Sequence, residues 1–194
     1  TFDIGFGLIS GMWERGDNIL YVCYDNEAYS NTGMQASGAT PIGANTTTTP
    51  AVGDESTGAR QKKKDMLAIA LAHGLPYVAQ STVGFLADIQ AKVKKALTMP
   101  GPGYIQIMVP CIPGWGIKPD QSLALGRLGA QTGLYPVLEF TNNELTGKLK
   151  VPATTPPVED YLKAQGRYSH LFKTEAGKKQ IAQIQELADK NIAR

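Results

Sequence analysis

The sequence predicts an α/β fold: a mostly parallel sheet with helices on both faces, followed by a C-terminal arm. Two observations carry that expectation. Apolar runs short enough to be strands alternate with longer segments of helical period, and strand–helix alternation with right-handed crossovers builds parallel sheets. The run Ile19-Leu-Tyr-Val-Cys-Tyr24 is also almost wholly apolar, as a strand buried on both faces of such a sheet reads.

Each element follows from its own signal. In residues 4–15 (IGFGLISGMWER), Ile4, Leu8, Ile9, Met12 and Trp13 recur at roughly helical spacing, and Gly16-Asp17-Asn18 ends that helix. Gly5, Gly7 and Gly11 cost about 1 kcal/mol each against Ala, which suggests close approach to a strand or ligand. After the strand, Asp25-Asn26-Glu27 marks its end. From Ser30 to about Gly58 the chain is rich in Gly, Thr, Ser, Asn and Pro, and so long a loop is either functional or disordered. Alternation then resumes: a helix over 65–73, a strand over 76–79, a helix over 85–98, a strand over 103–109 and a helix over 120–132. Beyond Tyr135, strands are expected over 137–140 and 148–151 around Asn142-Asn143, then an extended linker from Pro152 to Pro157. Helices follow from Val158 and over 175–192, the last with Ile181, Ile184, Leu187 and Ala188 on one face. Residues 1–135 are thus expected to be the α/β domain, and 136–194 an arm that docks on it or on a partner.

Composition narrows the function classes. The 194 residues are 42% hydrophobic and 19% charged, with 21 Gly, 12 Pro and 2 Cys. The apolar content excludes low-complexity disorder, and the absent G-x-y period excludes collagen. Two cysteines cannot make a disulfide framework. The longest apolar run is far short of the ~18 residues of a membrane span, and a net charge of +2 gives no reason for nucleic-acid binding. A cytoplasmic globular protein is expected. Because Thr1 already opens a packed helix, residues are expected to precede it.

The chemistry concentrates after the first strand, in Asp25-Asn-Glu-Ala-Tyr-Ser-Asn-Thr-Gly33. In open α/β sheets, ligands bind beyond the carboxyl ends of the strands. Mg²⁺ takes hard oxygens from one or two side chains, a carbonyl, water and phosphate. Asn26 offers an amide oxygen, Ala28 a main-chain carbonyl, and Asn31 a hydrogen bond to a diphosphate. A plain Asx-rich turn is the simpler alternative. Cys111 follows an apolar strand and precedes Pro113-Gly114; taken alone it is either a small core hydrophobe or a ligand. His73, near a helix end, reads as capping or packing, and His170 as a surface contact. Arg60 and Lys62 to Lys64 read as a solvated helix start or a patch for an acidic partner, and Thr46 to Thr49 as loop filler or pocket lining. Neither dinucleotide nor P-loop fingerprint occurs.

The wider context resembles a known family. Thr1-Phe-Asp-Ile-Gly-Phe-Gly7, Asp25 to Gln35, Ser37-Gly-Ala-Thr-Pro41, Thr46 to Pro50, Lys64-Asp-Met66, Ala72-His-Gly74, Pro110-Cys-Ile-Pro-Gly-Trp-Gly116 and Pro157 to Arg167 are similar to the thiamine-diphosphate domain of 2-oxoacid:ferredoxin oxidoreductases. The likeness is strongest to the β subunit of the pyruvate type. It implies the thiamine-diphosphate-binding fold, in part. It also implies oxidative decarboxylation of a 2-oxoacid, with coenzyme A taking the acyl group and ferredoxin the electrons, in an assembly with other subunits. By the same resemblance, Asn26 and Ala28 bind Mg²⁺, and Asn26, Ala28, Tyr29, Asn31 and Thr32 surround the cofactor, with Asn31 next to the substrate. Cys111 is then the last ligand of a [4Fe–4S] cluster, its other three cysteines lying upstream in the subunit. The family's Gly-Asp-Gly, with the Mg²⁺ carboxylate, belongs just before Thr1, and Asp3 caps or precedes the helix. Two alternatives stay open: a non-oxidative thiamine-diphosphate decarboxylase or synthase, which would have no use for Cys111, and a non-catalytic piece that completes such an assembly.

Overall fold

The computed structural model describes residues 1–193. Its main sheet has five strands: β1 (Leu20–Asp25), β4 (Tyr77–Thr82), β5 (Gly103–Met108), β6 (Leu138–Thr141) and β7 (Glu144–Lys148), in the order β1-β5-β4-β6-β7. The first three are parallel, with Leu20 opposite Gly103 and Tyr77 opposite the same glycine. β6 runs antiparallel to β4, and β7 to β6. The sheet is therefore mixed, with a parallel core. A separate two-stranded ribbon, β2 (Ala51–Val52) with β3 (Ser56–Thr57), projects from the long loop.

The described residues also form seven α-helices, α1 (Phe6–Glu14), α2 (Met66–Ala72), α3 (Leu86–Ala96), α4 (Ile112–Trp115), α5 (Ser122–Gln131), α6 (Val158–Lys163) and α7 (Glu175–Ala193), and two short 3₁₀ segments, Pro119–Gln121 and Gly166–Phe172. α3 covers one face, over Tyr77, Ala79, Ile105 and Ile107. α1 and α2 cover the other, where Ile9, Trp13, Met66 and Leu67 meet Cys23, Val78 and Tyr104. β4 and β5 are buried along their whole length, as central parallel strands should be. None of the described helices is long and apolar enough to cross a membrane.

Two expectations need correction. β1 is not buried on both faces: it is the sheet's edge strand, α3 packs on β4 and β5 beside it, and Tyr24 is 75% exposed. The hairpin is tighter than expected, with β7 starting at Glu144, because Asn142 and Asn143 take φ of 50° and 67°. Two successive left-handed residues reverse the chain in two steps and match the strand twist. The segment after Tyr135 packs on the α/β domain. β6 and β7 extend the main sheet, and Ile181, Ile184 and Ala188 of α7 join Met108, Trp115, Tyr135, Tyr161, Leu162 and Leu171 in one cluster. Burying each such isoleucine is worth about 1.5–3 kcal/mol, so α7 is held by its own domain.

The loop from Ser30 to Gly58 is ordered by hydrogen bonds. Thr46 and Thr49 pair their hydroxyls at 2.7 Å, Thr47 N–H donates to the Met34 carbonyl, and Gly43 N–H to that of Ala59. His170 Nε2 meets the Thr57 carbonyl at 3.0 Å, which ties the loop to the C-terminal segment.

Candidate functional site

Beyond the carboxyl end of β1 the chain makes two overlapping Asx turns. Asp25 Oδ1 accepts from Glu27 N–H at 3.1 Å, and Asn26 Oδ1 from Ala28 N–H at 3.3 Å. Between them Glu27 sits at φ 65°, a left-handed conformation that costs an L-residue about 1–2 kcal/mol. Such a residue persists only when its surroundings over-determine it. Here they do. Glu27 is 3% exposed; Lys63 Nζ donates to its Oε1 at 2.7 Å, Arg167 Nη2 to its Oε2 at 2.6 Å, and Thr40 Oγ1 to its carbonyl at 2.8 Å. Asp25, 2% exposed, is paired with Lys63 at 2.5 Å and accepts from Gln106 Nε2 at 2.8 Å, and Gln106 is itself held by Tyr104 and Tyr135.

Two carboxylates and two cations thus form a buried, formally neutral quartet behind the turn. Burial pushes the Asp25 carboxyl above its ordinary value, with Glu27 adding to that rise against the pull of Lys63. Burial alone would raise Glu27 too, but Lys63 and Arg167 together hold it below its ordinary value. The Lys63 ammonium is opposed by burial yet raised by its two carboxylate partners.

Around this turn the expected site residues divide. Asn26, Ala28 and Tyr29 line a small cavity of about 130 Å³ with Asp3, Cys23, Asp25 and Ser37. Asn31 and Thr32 do not. They lie exposed on a tight loop closed by the Tyr29–Gln35 bridge, where Gln35 grips the Thr32 hydroxyl at 2.5 Å and the Thr32 carbonyl at 2.6 Å. Asp3 is no helix side-chain cap. Its Oδ2 accepts from Gly38 N–H at 2.8 Å and from the Tyr29 hydroxyl at 3.1 Å. Burial works against its carboxylate, but these donors and Lys64 lower its pKa.

Cys111 caps the short α4 at the carboxyl end of β5 and is half-buried beside the C-terminal core. Its turn touches the loop that follows β1, since Met34 lies against Gly114, and a Cβ at Gly114 would also come 3.2 Å from Cys111 Sγ. Cys23 is buried core. His73 bridges Ser10 Oγ at 2.8 Å and the Ile69 carbonyl at 2.9 Å, a packing role. Trp115 is fully buried and donates from Nε1 to the Asn26 carbonyl at 3.0 Å, with the Arg167 guanidinium over its ring at 3.7 Å.

Sequence reasoning missed Lys63 and Arg167. Lys63 looks like one lysine of a solvated run, but it turns inward. The available signal was two acidic residues spaced by one at the end of a buried strand, a pair that cannot be buried without cations.

The donor set suits a hard cation in part. The Asn26 amide oxygen and the Ala28 carbonyl are hard oxygens, and the carbonyl accepts no hydrogen bond among the described residues. Ser30 Oγ nearby is buried with no partner among them. Asp25 is committed to Lys63, and no group of three or more His, Cys, Asp or Glu among the described residues is arranged to hold a metal ion. Among the described residues, those expected to hold Mg²⁺ offer two oxygens and the one expected to hold a cluster offers a single thiol, and neither set amounts to a metal site.

Comparison with known proteins agrees with this geometry. Residues 2–107 match the family described as thiamine pyrophosphate enzyme, C-terminal TPP binding domain. A pyruvate synthase subunit PorB of Methanosarcina barkeri is 50% identical over 192 residues, covering 99% of this chain and 64% of the relative. A ketoisovalerate oxidoreductase subunit VorB of Pyrococcus abyssi is 41% identical over 174 residues, covering 89% and 56%. The solved 2-oxoglutarate:ferredoxin oxidoreductase from Magnetococcus marinus, with 2-oxoglutarate, coenzyme A and succinyl-CoA bound, superposes with TM-score 0.51 at 30% identity, over 57% of this chain and 36% of that one. The chain spans about three-fifths of the length of the curated relatives it matches. With the matched segment covering more than half of its residues and running through the Asn26–Ala28 turn, the chain belongs to the family of thiamine pyrophosphate enzyme C-terminal TPP-binding domains.

Proposed function

We propose that this chain forms the diphosphate-holding side of the cofactor site in a cytoplasmic 2-oxoacid:ferredoxin oxidoreductase, with pyruvate as substrate. Other subunits complete the assembly, coenzyme A takes the acyl group, and ferredoxin takes the electrons. The observation that carries this reading is the Asp25–Ala28 turn, fixed from behind by buried ion pairs at the carboxyl end of a parallel strand. The names of the relatives, pyruvate synthase and ketoisovalerate oxidoreductase subunits, support the reaction class.

When bound, thiamine diphosphate supplies the carbanion-stabilising chemistry by which a 2-oxoacid loses CO₂. The chain's own residues do the holding. The Asn26 amide oxygen and the Ala28 carbonyl are the Mg²⁺ donors on this side. Tyr29, on the same cavity as Asn26 and Ala28, and Asn31 and Thr32, on the exposed loop that follows, would contact the cofactor once it is bound, with Asn31 toward the substrate. Cys111 is one thiolate of a [4Fe–4S] cluster whose remaining ligands lie outside this chain. Residues 136–194 serve subunit assembly through the outer surface of the hairpin and α7.

The test is Asn26→Ala in the intact protein, read by calorimetric titration of thiamine diphosphate and of Mg²⁺. Loss of one oxygen from a hard cation should weaken binding by about tenfold, the equivalent of roughly 1.4 kcal/mol. Unchanged titrations would refute the assignment.

A further inference from the structure

We infer that Trp115 and Arg167 are positioning residues for the Mg²⁺-diphosphate oxygens, locking the Asn26–Ala28 turn from behind and tying it mechanically to the turn that carries Cys111. The inference rests on the cofactor reading proposed above and adds to it the residues that set the geometry.

The turn is held residue by residue, from elements far away in the chain. Asp25 is held by Lys63 and Gln106. The Asn26 carbonyl is held by the indole Nε1 of Trp115, a side-chain donor 89 residues away, at 3.0 Å. Glu27 is held by Lys63 and by Arg167, which is 140 residues away. Arg167 makes three contacts with one planar group. Its Nη2 donates to Glu27, its Nε donates to Gln165 Oε1 at 2.9 Å, and its face covers the Trp115 ring at 3.7 Å. Only a guanidinium offers both a fork and a stacking face. The Asn26–Glu27 peptide is therefore fixed through its carbonyl oxygen on one side and the Glu27 carboxylate on the other. What stays uncommitted is the Ala28 carbonyl, while the Asn26 amide makes only a 3.3 Å bond within the turn.

Trp115 is also part of the Cys111 turn. Its backbone N–H donates to the Cys111 carbonyl at 2.8 Å, closing the single turn of α4. Any shift of the indole moves the Asn26 peptide at one end and the cysteine's turn at the other. A second contact, Met34 on Gly114, joins the same two loops at the far edge. A buried indole N–H usually finds an acceptor, so the choice of acceptor is what matters, and here it is the Asn26 carbonyl. The directed Nε1 bond to this one carbonyl is what makes the residue a positioning group.

The experiment uses the intact protein freed of cofactor, with thiamine diphosphate and Mg²⁺ as titrants. Trp115→Phe keeps an aromatic ring under the guanidinium and removes the donor together with part of the buried ring volume, a packing loss that the stability control below accounts for. Arg167→Lys keeps the charge and removes the fork and stacking face. Each should raise the Kd for thiamine diphosphate by about fivefold to twentyfold, the scale of leaving one buried acceptor unpaired. Each should also alter the iron–sulfur absorption or electron-spin signal of the cluster-loaded protein. Ile184→Val, in the same apolar cluster but off the network, is the stability control; it should lower the melting temperature and leave the Kd unchanged. If Trp115→Phe and Arg167→Lys behave like Ile184→Val, positioning is refuted and the two residues are packing alone. If Asn26→Ala also leaves the Kd unchanged, the cofactor reading itself fails, and this inference falls with it.

Discussion

Glu27→Gly sets two effects of opposite sign against each other at one residue. Glycine adopts φ 65° freely, so the change relieves about 1–2 kcal/mol of left-handed strain. Part of that gain is offset, because glycine also loosens the unfolded chain, by about 0.4–1 kcal/mol. Against the remainder stands the loss of a buried carboxylate. Lys63 keeps Asp25 at 2.5 Å, but Arg167 keeps only Gln165 and the aromatic faces, and its charge stays inside the core. Breaking a buried pair by removing one partner costs about 3–5 kcal/mol. The ionic loss wins, for a net destabilisation of about 3 kcal/mol. At about 2–4 °C per kcal/mol for a domain of this size, calorimetric melting of the intact protein should drop by about 6–12 °C. Asn142→Gly is the matched control: the same backbone region, φ 50°, exposed and without an ion pair, so its effect should be within about 0.5 kcal/mol. A neutral or stabilising Glu27→Gly would mean that strain is the larger quantity, and that the quartet is not what fixes the turn.

Three further outcomes are expected. Cys111→Ser should lower iron per assembled enzyme and cost under about 1.5 kcal/mol of stability; full iron occupancy would remove Cys111 from the cluster. Because Lys63 and Arg167 hold the Glu27 carboxyl below its ordinary 4.5, that group contributes stability above 4.5 which is lost as pH falls through the lowered folded value. Asp25, raised by burial, works in the opposite sense. Glu27→Gln removes the first contribution and lessens the second, since the Glu27 charge adds to the rise at Asp25; the acid limb of its stability–pH curve should be flatter than wild type, and an unchanged limb would refute the pairing. Gly84→Ala should cost about 3 kcal/mol in a urea melt, because the new methyl would strike backbone of α5 at Arg127 and Gly126; a change under 1 kcal/mol would show that α5 does not pack this closely in solution.

The fold was legible where the signal is local. β5 carries a largely apolar run, broken only by Gln106, and β4 shows one in its first half, Tyr77 to Ala79, while α2 announces itself with Asp65, whose Oδ1 caps Ala68 N–H at 2.9 Å. β1 was misjudged because an apolar run does not say whether a helix lies over it. Leu20, Val22 and Tyr24 face the side where α3 leaves the sheet's edge uncovered. The hairpin was placed by its two asparagines, yet its register was not, since nothing in the chain's polarity distinguishes a two-residue reversal from a longer loop. How the segment after Tyr135 joins the sheet was hidden for a related reason. A proline-rich stretch marks a change of direction, and only the pairing of β6 with β4 shows that the chain had already re-entered the sheet before reaching it.

The site divides along the same line. The oxygen donors could be named because a cofactor turn is a short, contiguous string, and Asn26, Ala28 and Tyr29 do meet around one cavity. What makes that turn rigid is not contiguous at all. Lys63 is chemically indistinguishable in sequence from Lys62 and Lys64; it is selected only because the fold sets it facing Asp25 and Glu27, where two carboxylates two residues apart would otherwise be buried uncompensated. Arg167 comes from a segment read as an arm, and it is the residue that makes the C-terminal region indispensable to the first turn of the domain. Ion pairs between distant residues leave no period and no spacing in a sequence. They leave only a charge that cannot be buried alone, and the place to look for one is wherever acidic residues end an apolar strand.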